Sequence, residues 1–376
     1  MSMISRVCLG FTAAFYLIFS SAMARESGHW QSAHQMTEAA NTLISSLDAE
    51  QKKTAISPFD DAGRTTWSNL PIIMVRPGGL LVSDMNAEQR IAVHKLLRAS
   101  MSSQGYAKFA GIMRLEDQTH IDALEYLKNN SDAPPIQQAF ADAYDSTNYA
   151  VAIYGEPGQE HWGWKIAGHH AAVNFTVAGG RVGFTPTFLG SNPMVVKGGK
   201  HAGLMVLPQE GQRGIELMQS LSPKQQSVAK IAEDKPNDVI EGPGRRASLS
   251  TFEGLKASQL SPGQMKLLKV LVSEYVGNSD FDTAAAQLAL IENSGWGELW
   301  FSWRGPVDSA GRFYYRVHGP RILIEYIRQD DNHDHTIVRD PENDYGEDWL
   351  GKHYEEHHPS MEEAMENARR AVHREH

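Results

Sequence analysis

The sequence is poor in cysteine: Cys8 is the one cysteine among 376 residues. Cys8 lies in an N-terminal segment with the pattern of a removable leader, so the mature chain is expected to carry no thiol. That expectation excludes disulfide bonds, cysteine nucleophiles and thiolate metal sites. The stability of the fold must then come from burial of hydrophobic side chains, which make up 41% of the chain.

Long hydrophobic runs are also missing after the N-terminus. Arg6 precedes an apolar run over residues 7–19, and Ala-Met-Ala at residues 22–24 is a small-x-small cleavage pattern. The run is shorter than the roughly 20 residues that a membrane-spanning helix needs. We predict a signal peptide over residues 1–24 and a periplasmic or secreted protein, with no membrane contact after cleavage. A retained N-terminal anchor is the alternative.

Neither an excess of positive charge nor a familiar catalytic motif is present. The chain has 45 acidic and 35 basic residues and a net charge of −10 with neutral histidines, which argues against nucleic acid as a partner. It has no Gly-Lys-Ser/Thr phosphate loop, Rossmann glycine fingerprint, His-Glu-x-x-His zinc motif or Gly-x-Ser-x-Gly elbow. A small-molecule or peptide ligand is therefore the expected partner, and the oligomeric state stays open.

Four short motifs predict where helices begin. Each has a capping residue followed three positions later by glutamine, an arrangement in which each side chain bonds the other residue's backbone N–H. The second two motifs follow the first two at a nearly constant offset, and the apolar positions behind them match as well. The helix behind the second motif is expected to stop at Gly105. The four motifs are Asp48/Gln51, Asn86/Gln89, Ser222/Gln225 and Ser261/Gln264.

Two aromatic segments predict β-hairpins. Residues 161–177 read HWGWKIAGHHAAVNFTV, and residues 313–328 read FYYRVHGPRILIEYIR. In both, aromatic and apolar residues alternate on either side of a turn that a glycine opens. The shared order of helix, helix and hairpin indicates an internal duplication, with half one at about 47–190 and half two at about 221–350. Chance similarity is the alternative, because capping boxes and amphipathic helices are common.

We therefore predict an α+β fold of internally duplicated helix-helix-hairpin units, with the helices packed on a mainly antiparallel sheet. A single duplicated domain is expected over residues 25–354, and a charged helical tail over residues 355–376. Clefts between two such halves are preferred ligand sites. The tryptophans expected in the core, rather than on a sugar-binding surface, are Trp162, Trp164, Trp296, Trp300 and Trp303.

Histidine carries most of the chemical information in this chain. His169 and His170 follow the glycine of the first hairpin, and both can reach one site only if the turn distorts them, because strand neighbours point to opposite faces. His333 and His335 are two positions apart, so an extended backbone places both rings on one face. If matching strand ends meet, the four histidines converge as metal ligands. Hydrogen-bonded histidines without a metal are the alternative.

Acidic side chains near these histidines complete a candidate site. Histidine with carboxylate ligands suits a divalent transition metal: zinc, iron, manganese or copper. We predict Glu325 or Asp344 as the general base, with Arg339 orienting an anionic group. These residues predict an exported metal-dependent enzyme of the hydrolase class. The alternative is a periplasmic ligand-binding or scaffold module without catalytic turnover, and metal content would distinguish the two.

The motif Trp-x-Trp-x-x-x-Gly-His-His at residues 162–170 resembles the signature of the bacterial family catalogued as domain of unknown function 3500. The resemblance covers roughly residues 35–354 and implies homology and export, but it implies no reaction. It continues through residues 185–190, 314–320, 325–326, 335 and 339–346.

Overall fold

The structure is a computed structural model that describes residues 31–308 and 311–351. The predicted signal peptide at 1–24 and the predicted tail at 355–376 lie outside the described residues. Within the described ranges, no helix is both long and apolar enough to cross a membrane.

The predicted helix starts are confirmed, because all four capping boxes form their reciprocal hydrogen bonds. The expectation that Gly105 stops a helix is wrong: the helix behind Asn86 ends at Ser100, and Gly105 lies in the first turn of the next one. The α-helices of the described residues are 31–46 (α1), Ala49–Ala55 (α2), Ala87–Ser100 (α3), Ser103–Asn129 (α4), Pro135–Ala143 (α5), Pro208–Ser220 (α6), Pro223–Ala229 (α7), Pro262–Val276 (α8), Phe281–Ser294 (α9) and 347–351 (α10).

The described strands form one 13-stranded sheet. The strands are Ile56–Ser57 (β1), Leu80–Leu81 (β2), Ala150–Gly155 (β3), His161–Gly168 (β4), Ala171–Ala178 (β5), Arg181–Gly183 (β6), Thr187–Ser191 (β7), Lys230–Ala232 (β8), Leu255–Lys256 (β9), Trp300–Arg304 (β10), Tyr314–Gly319 (β11), Ile322–Asp330 (β12) and His333–Arg339 (β13). The main path of the sheet runs β1-β3-β4-β5-β7-β13-β12-β11-β10-β8, and neighbouring strands are antiparallel except for the pairs β1–β3 and β8–β10. This is a mixed fold of helices and a mostly antiparallel sheet, as predicted.

Both predicted hairpins are present, as β4–β5 and β11–β12. The pair Gly168 with Ala171 closes the first hairpin, and Gly319 with Ile322 closes the second, so each turn contains two residues. Aromatic rings stack across both: Trp164 on Phe175, and Tyr315 on Tyr326. Cross-strand aromatic pairs of this kind stabilise a hairpin register.

The sheet is covered on both faces. Val173 and Ile324 belong to the larger apolar cluster, whereas Ala172 and Ile337 belong to a second cluster. Of the five tryptophans predicted for the core, Trp162, Trp164 and Trp303 are fully buried as expected. Trp296 and Trp300 are only partly buried, so the prediction is wrong for these two.

The pairing of β7 with β13 joins the part of the sheet that contains the first hairpin to the part that contains the second. In this antiparallel pair, Gly190 lies opposite His335. The backbone N–H of Gly190 also donates to the carbonyl of His170, at 2.6 Å. The turn of the first hairpin is therefore held against the first residues of β13.

A buried histidine on β11 provides a test of the fold by pH. His318 is 6% exposed and packs edge-on against Phe252. Burial, with the nearby positive charge of Arg316, lowers the pKa of His318 to about 4, against the opposing influence of Glu253. Since an unfolded histidine has a pKa near 6.5, the unfolded state binds more protons between these values.

Stability should therefore fall as the pH drops from about 6.5 towards about 4. We expect the His318→Gln variant to lose less stability than the wild type on this acidification, by on the order of 1 kcal/mol. Urea unfolding at a pH of about 7 and of about 5 measures the difference. An identical pH dependence in both proteins would contradict a neutral, buried His318.

Candidate metal centre

Three imidazole rings converge where the turn of the first hairpin meets β7 and the start of β13, a place called the seam below. Nε2 of His333 lies 2.9 Å from Nε2 of His170 and 2.9 Å from Nε2 of His335. The side chains of His170 and His335 are buried, and that of His333 is 18% exposed. The three rings form a group whose nitrogens are spaced closely enough to hold one metal ion.

The turn conformation explains how His170 reaches this group. His170 has a φ of 61°, in the left-handed region that few non-glycine residues adopt. Its backbone N–H donates to the carbonyl of Asn69 at 3.1 Å, and this bond ties the turn to the segment before β2. The ring of His169 stacks on that of His170 at 3.7 Å between centroids. The turn thus distorts the strand alternation that would separate the two side chains.

Gly190 makes room for the meeting of the rings. A Cβ at this position would lie 2.7 Å from Cδ2 of His335 and 3.0 Å from Cδ2 of His170. The absence of a side chain at Gly190 is therefore what allows one imidazole from each side of the seam to approach the other.

Two of the three rings, those of His170 and His333, are held as neutral imidazoles. Burial and the surrounding histidines keep the pKa of His170 well below its usual range, and burial lowers the pKa of His333 to about 4. Nδ1 of His335 lies 2.8 Å from Oδ1 of Asp238. Although burial alone would raise the pKa of Asp238, the hydrogen bond from His335 lowers it. A carboxylate at Nδ1 keeps the proton there and leaves the lone pair on Nε2, as in many metal-bound histidines.

The short nitrogen-to-nitrogen contacts fit a shared cation. Two lone pairs at 2.9 Å repel each other unless a proton or a cation lies between them. One proton on Nε2 of His333 can be directed at only one of its two neighbours. Zinc with ligands at about 2.0–2.1 Å would separate them by roughly 3.4 Å, so a small outward shift accommodates the ion. The donor set therefore fits a transition metal.

His169 belongs to a second group, with Glu116 of α4. Nδ1 of His169 lies 2.8 Å from Oε1 of Glu116, and Nδ1 of His170 lies 3.9 Å from the same oxygen. Burial raises the pKa of Glu116, and the hydrogen bond from His169 opposes the rise. The ring of His169 also stacks on Tyr144. The structure thus places His170 with His333 and His335, and His169 beside them with a buried carboxylate.

Glu325, which was predicted as a general base, binds the backbone of the loop between β8 and β9. Its carboxylate accepts hydrogen bonds from the backbone N–H groups of Ile240 and Glu241, at 2.7 and 2.8 Å, and from the hydroxyl of Tyr314 at 2.7 Å. Glu325 is fully buried, and burial raises its pKa. This carboxylate anchors the segment that carries Asp238 to the imidazoles.

Arg339 and Asp344 anchor the same segment. Nη1 of Arg339 lies 2.5 Å from Oδ2 of Asp344, and its Nε donates to the carbonyl of Glu241 at 3.0 Å. Both side chains are buried, so their charges compensate each other away from solvent. These contacts give Arg339, Asp344 and Glu325 a positioning role for the loop. That any of the three acts directly in catalysis stays a prediction.

Sequence reasoning missed Glu116 and Asp238. Glu116 lies on the buried stripe of α4 that includes Phe109, Ile112 and Met113, and a carboxylate on such a stripe was the available signal. Asp238 lies in an aperiodic loop, where no pattern distinguishes it from its neighbours.

The fold and site define a mixed α/β protein with a buried three-histidine cluster at the central seam of its sheet. The chain belongs to the family described as "Protein of unknown function (DUF3500)", whose model matches residues 29–347. No curated protein and no solved structure matches the chain.

Proposed function

We propose that this chain is an exported, metal-dependent enzyme of the hydrolase class, with His170, His333 and His335 as the ligands of a divalent transition metal. The observation that carries the proposal is the convergence of three imidazole Nε2 atoms at successive separations of 2.9 Å. Export rests on the leader-like sequence at residues 1–24.

The donor set narrows the choice of metal. Neutral imidazoles suit zinc, copper, iron and nickel, whereas an all-oxygen site would be expected for calcium or magnesium. Three histidines leave a coordination position for water or substrate. When bound, such an ion polarises a carbonyl group or lowers the pKa of a water molecule.

Glu116 and His169 are the proposed proton-transfer pair. The carboxylate at Nδ1 of His169 keeps a proton on that atom, so Nε2 is the atom that accepts a proton. The hydroxyl of Tyr149 donates to the carbonyl of His169 at 2.6 Å and fixes its backbone. A histidine oriented by a buried carboxylate is the usual arrangement of a general base.

The proposed enzyme is built from two similar halves. Support comes from the capping glutamines, which bond each other within each half: Gln51 with Gln89, and Gln225 with Gln264. The sheet order also supports it, since a short strand runs parallel to β3 at one end and another runs parallel to β10 at the other. On this proposal, His170 comes from one half and the His333–His335 pair from the other.

Metal content and turnover test the proposal together. Protein without an affinity tag, purified without chelators, should contain about one transition-metal ion per chain by elemental mass spectrometry. It should hydrolyse members of a panel of aryl esters and amides, lose that activity on dialysis against a chelator, and regain it with the metal. If the purified protein contained no metal, the proposal of a metal-dependent enzyme would be wrong. Stoichiometric metal without turnover would favour a ligand-binding or scaffold module.

A further inference from the structure

We propose that the cavity beside the histidine cluster is the substrate site, and that it takes an uncharged molecule carrying an aromatic ring and an amide-like group. The cavity has a volume of about 620 Å³. The identity of its occupant as a substrate rests on the proposed function, but binding itself requires only the cavity.

The elements that build the metal centre also build this cavity. Tyr144, which lines it, is the residue whose ring stacks on His169. Asn332, which also lines it, directly precedes His333 in the chain. Thr119 lies one turn beyond Glu116 on α4. A molecule in the cavity would therefore lie against the residues that flank both histidine groups.

The walls are held in place before any ligand arrives. The ring of His120 bonds the carbonyl of Ala141 at 2.7 Å, which fixes α5 against α4. The hydroxyl of Thr119 is shared between the carbonyls of Leu115, at 2.8 Å, and Asn192, at 3.1 Å. The N–H of Met194 donates to the carbonyl of Asn332 at 2.8 Å. Helix α4, the loop after β7 and the tip of the β12–β13 hairpin are thereby joined around the cavity. A pre-formed cavity is typical of a small-molecule site.

The lining indicates the chemical class of the ligand. Tyr126, Phe140 and Tyr144 offer aromatic rings, which favour a flat apolar group. Among the described residues, this lining contains no lysine or arginine, and Asp122 is its one charged side chain. A carboxylate or phosphate would meet no counter-charge there and would face Asp122. The amide side chains that can pair with an amide group of the ligand are Gln137, Asn192 and Asn332.

Ligand-observed NMR titration tests the cavity with N-acetyl-tyrosinamide as the uncharged probe and N-acetyl-tyrosine as its carboxylate counterpart. We expect saturable binding of the amide, and binding of the carboxylate that is several-fold weaker. Binding of the amide should persist in chelator-treated protein. The titration thus reports on the cavity even if the protein holds no metal, and metal content is measured separately on the same samples.

Three variants locate the binding. Phe140→Ala and Tyr126→Ala should weaken amide binding by about five- to ten-fold, the loss expected for one aromatic contact. Ile136→Ala is the matched control, since Ile136 is on the same helix as Phe140, is 55% exposed and does not line the cavity. Tyr126 is 51% exposed, so its variant serves if Phe140→Ala fails to fold. No saturable binding, equal effects of all three variants, or stronger binding of the carboxylate would overturn the proposal.

Discussion

Replacing His333 and His335 together by alanine is expected to abolish metal binding while leaving the fold largely intact. These residues supply two of the three converging nitrogens, and Nε2 of His333 makes both of the 2.9 Å contacts. One buried histidine alone is a weak ligand, so we expect affinity to fall by at least about a thousand-fold. Elemental mass spectrometry of the purified variant measures the loss.

The fold should survive because both rings lie at the start of β13, and the rest of that strand pairs with β7 and β12. Circular dichroism should match the wild type, and metal-free variant and wild type should unfold within about 2 kcal/mol of each other. The control is the double variant His94→Ala with His201→Ala. These two histidines lie outside the cluster, so the control protein should retain the metal. If the double variant of His333 and His335 retained stoichiometric metal, the proposal that these histidines bind the metal would be wrong.

Gly105→Ala is expected to destabilise the protein by on the order of 3 kcal/mol. A Cβ at Gly105 would lie 1.9 Å from the carbonyl oxygen of Asn278 and 2.7 Å from its carbon. Ser102 fixes this approach, because its hydroxyl donates to the carbonyl of Gly277 at 2.6 Å and its N–H donates to that of Asn278 at 3.2 Å. Backbone atoms so held cannot move aside as a flexible side chain does.

The matched control is Gly263→Ala, also in the first turn of a helix, where an added Cβ meets nothing within 4 Å. Because alanine favours helix over glycine by up to about 1 kcal/mol, this variant should be as stable as the wild type or more so. Urea unfolding measures both substitutions. Similar urea midpoints for the two variants would contradict a close contact between Gly105 and the backbone of Asn278.

Local patterns in the sequence predicted local structure well. The capping boxes, the two hairpins and the extended backbone at His333 and His335 each depend on residues a few positions apart. The position of Gly105 was misinterpreted because its reason is non-local: it packs against the backbone of Asn278, far along the chain. A glycine in a sequence does not reveal whether it ends a helix or admits a neighbour.

The candidate site was predictable only in part for the same reason. The approach of His170 to His333 depends on the pairing of β7 with β13, which no spacing encodes. Asp238 reaches His335 from a loop that Glu325 holds through two backbone N–H groups. Glu325, which was predicted as a base because it precedes His333 and His335 in the sequence, therefore proved to support the loop, while the carboxylate that contacts an imidazole is that of Asp238.

The two ends of the sheet have a consequence for aggregation. The outer side of β3 is covered by two strands of two residues each, β1 and β2, and that of β10 by β8, of three residues, and β9, of two. Intermolecular cross-β pairing favours uninterrupted segments of about six residues. In the part of the chain that the structure describes, neither sheet edge offers such a template, so the folded protein is protected against edge-to-edge polymerisation without needing charged or proline-rich border strands.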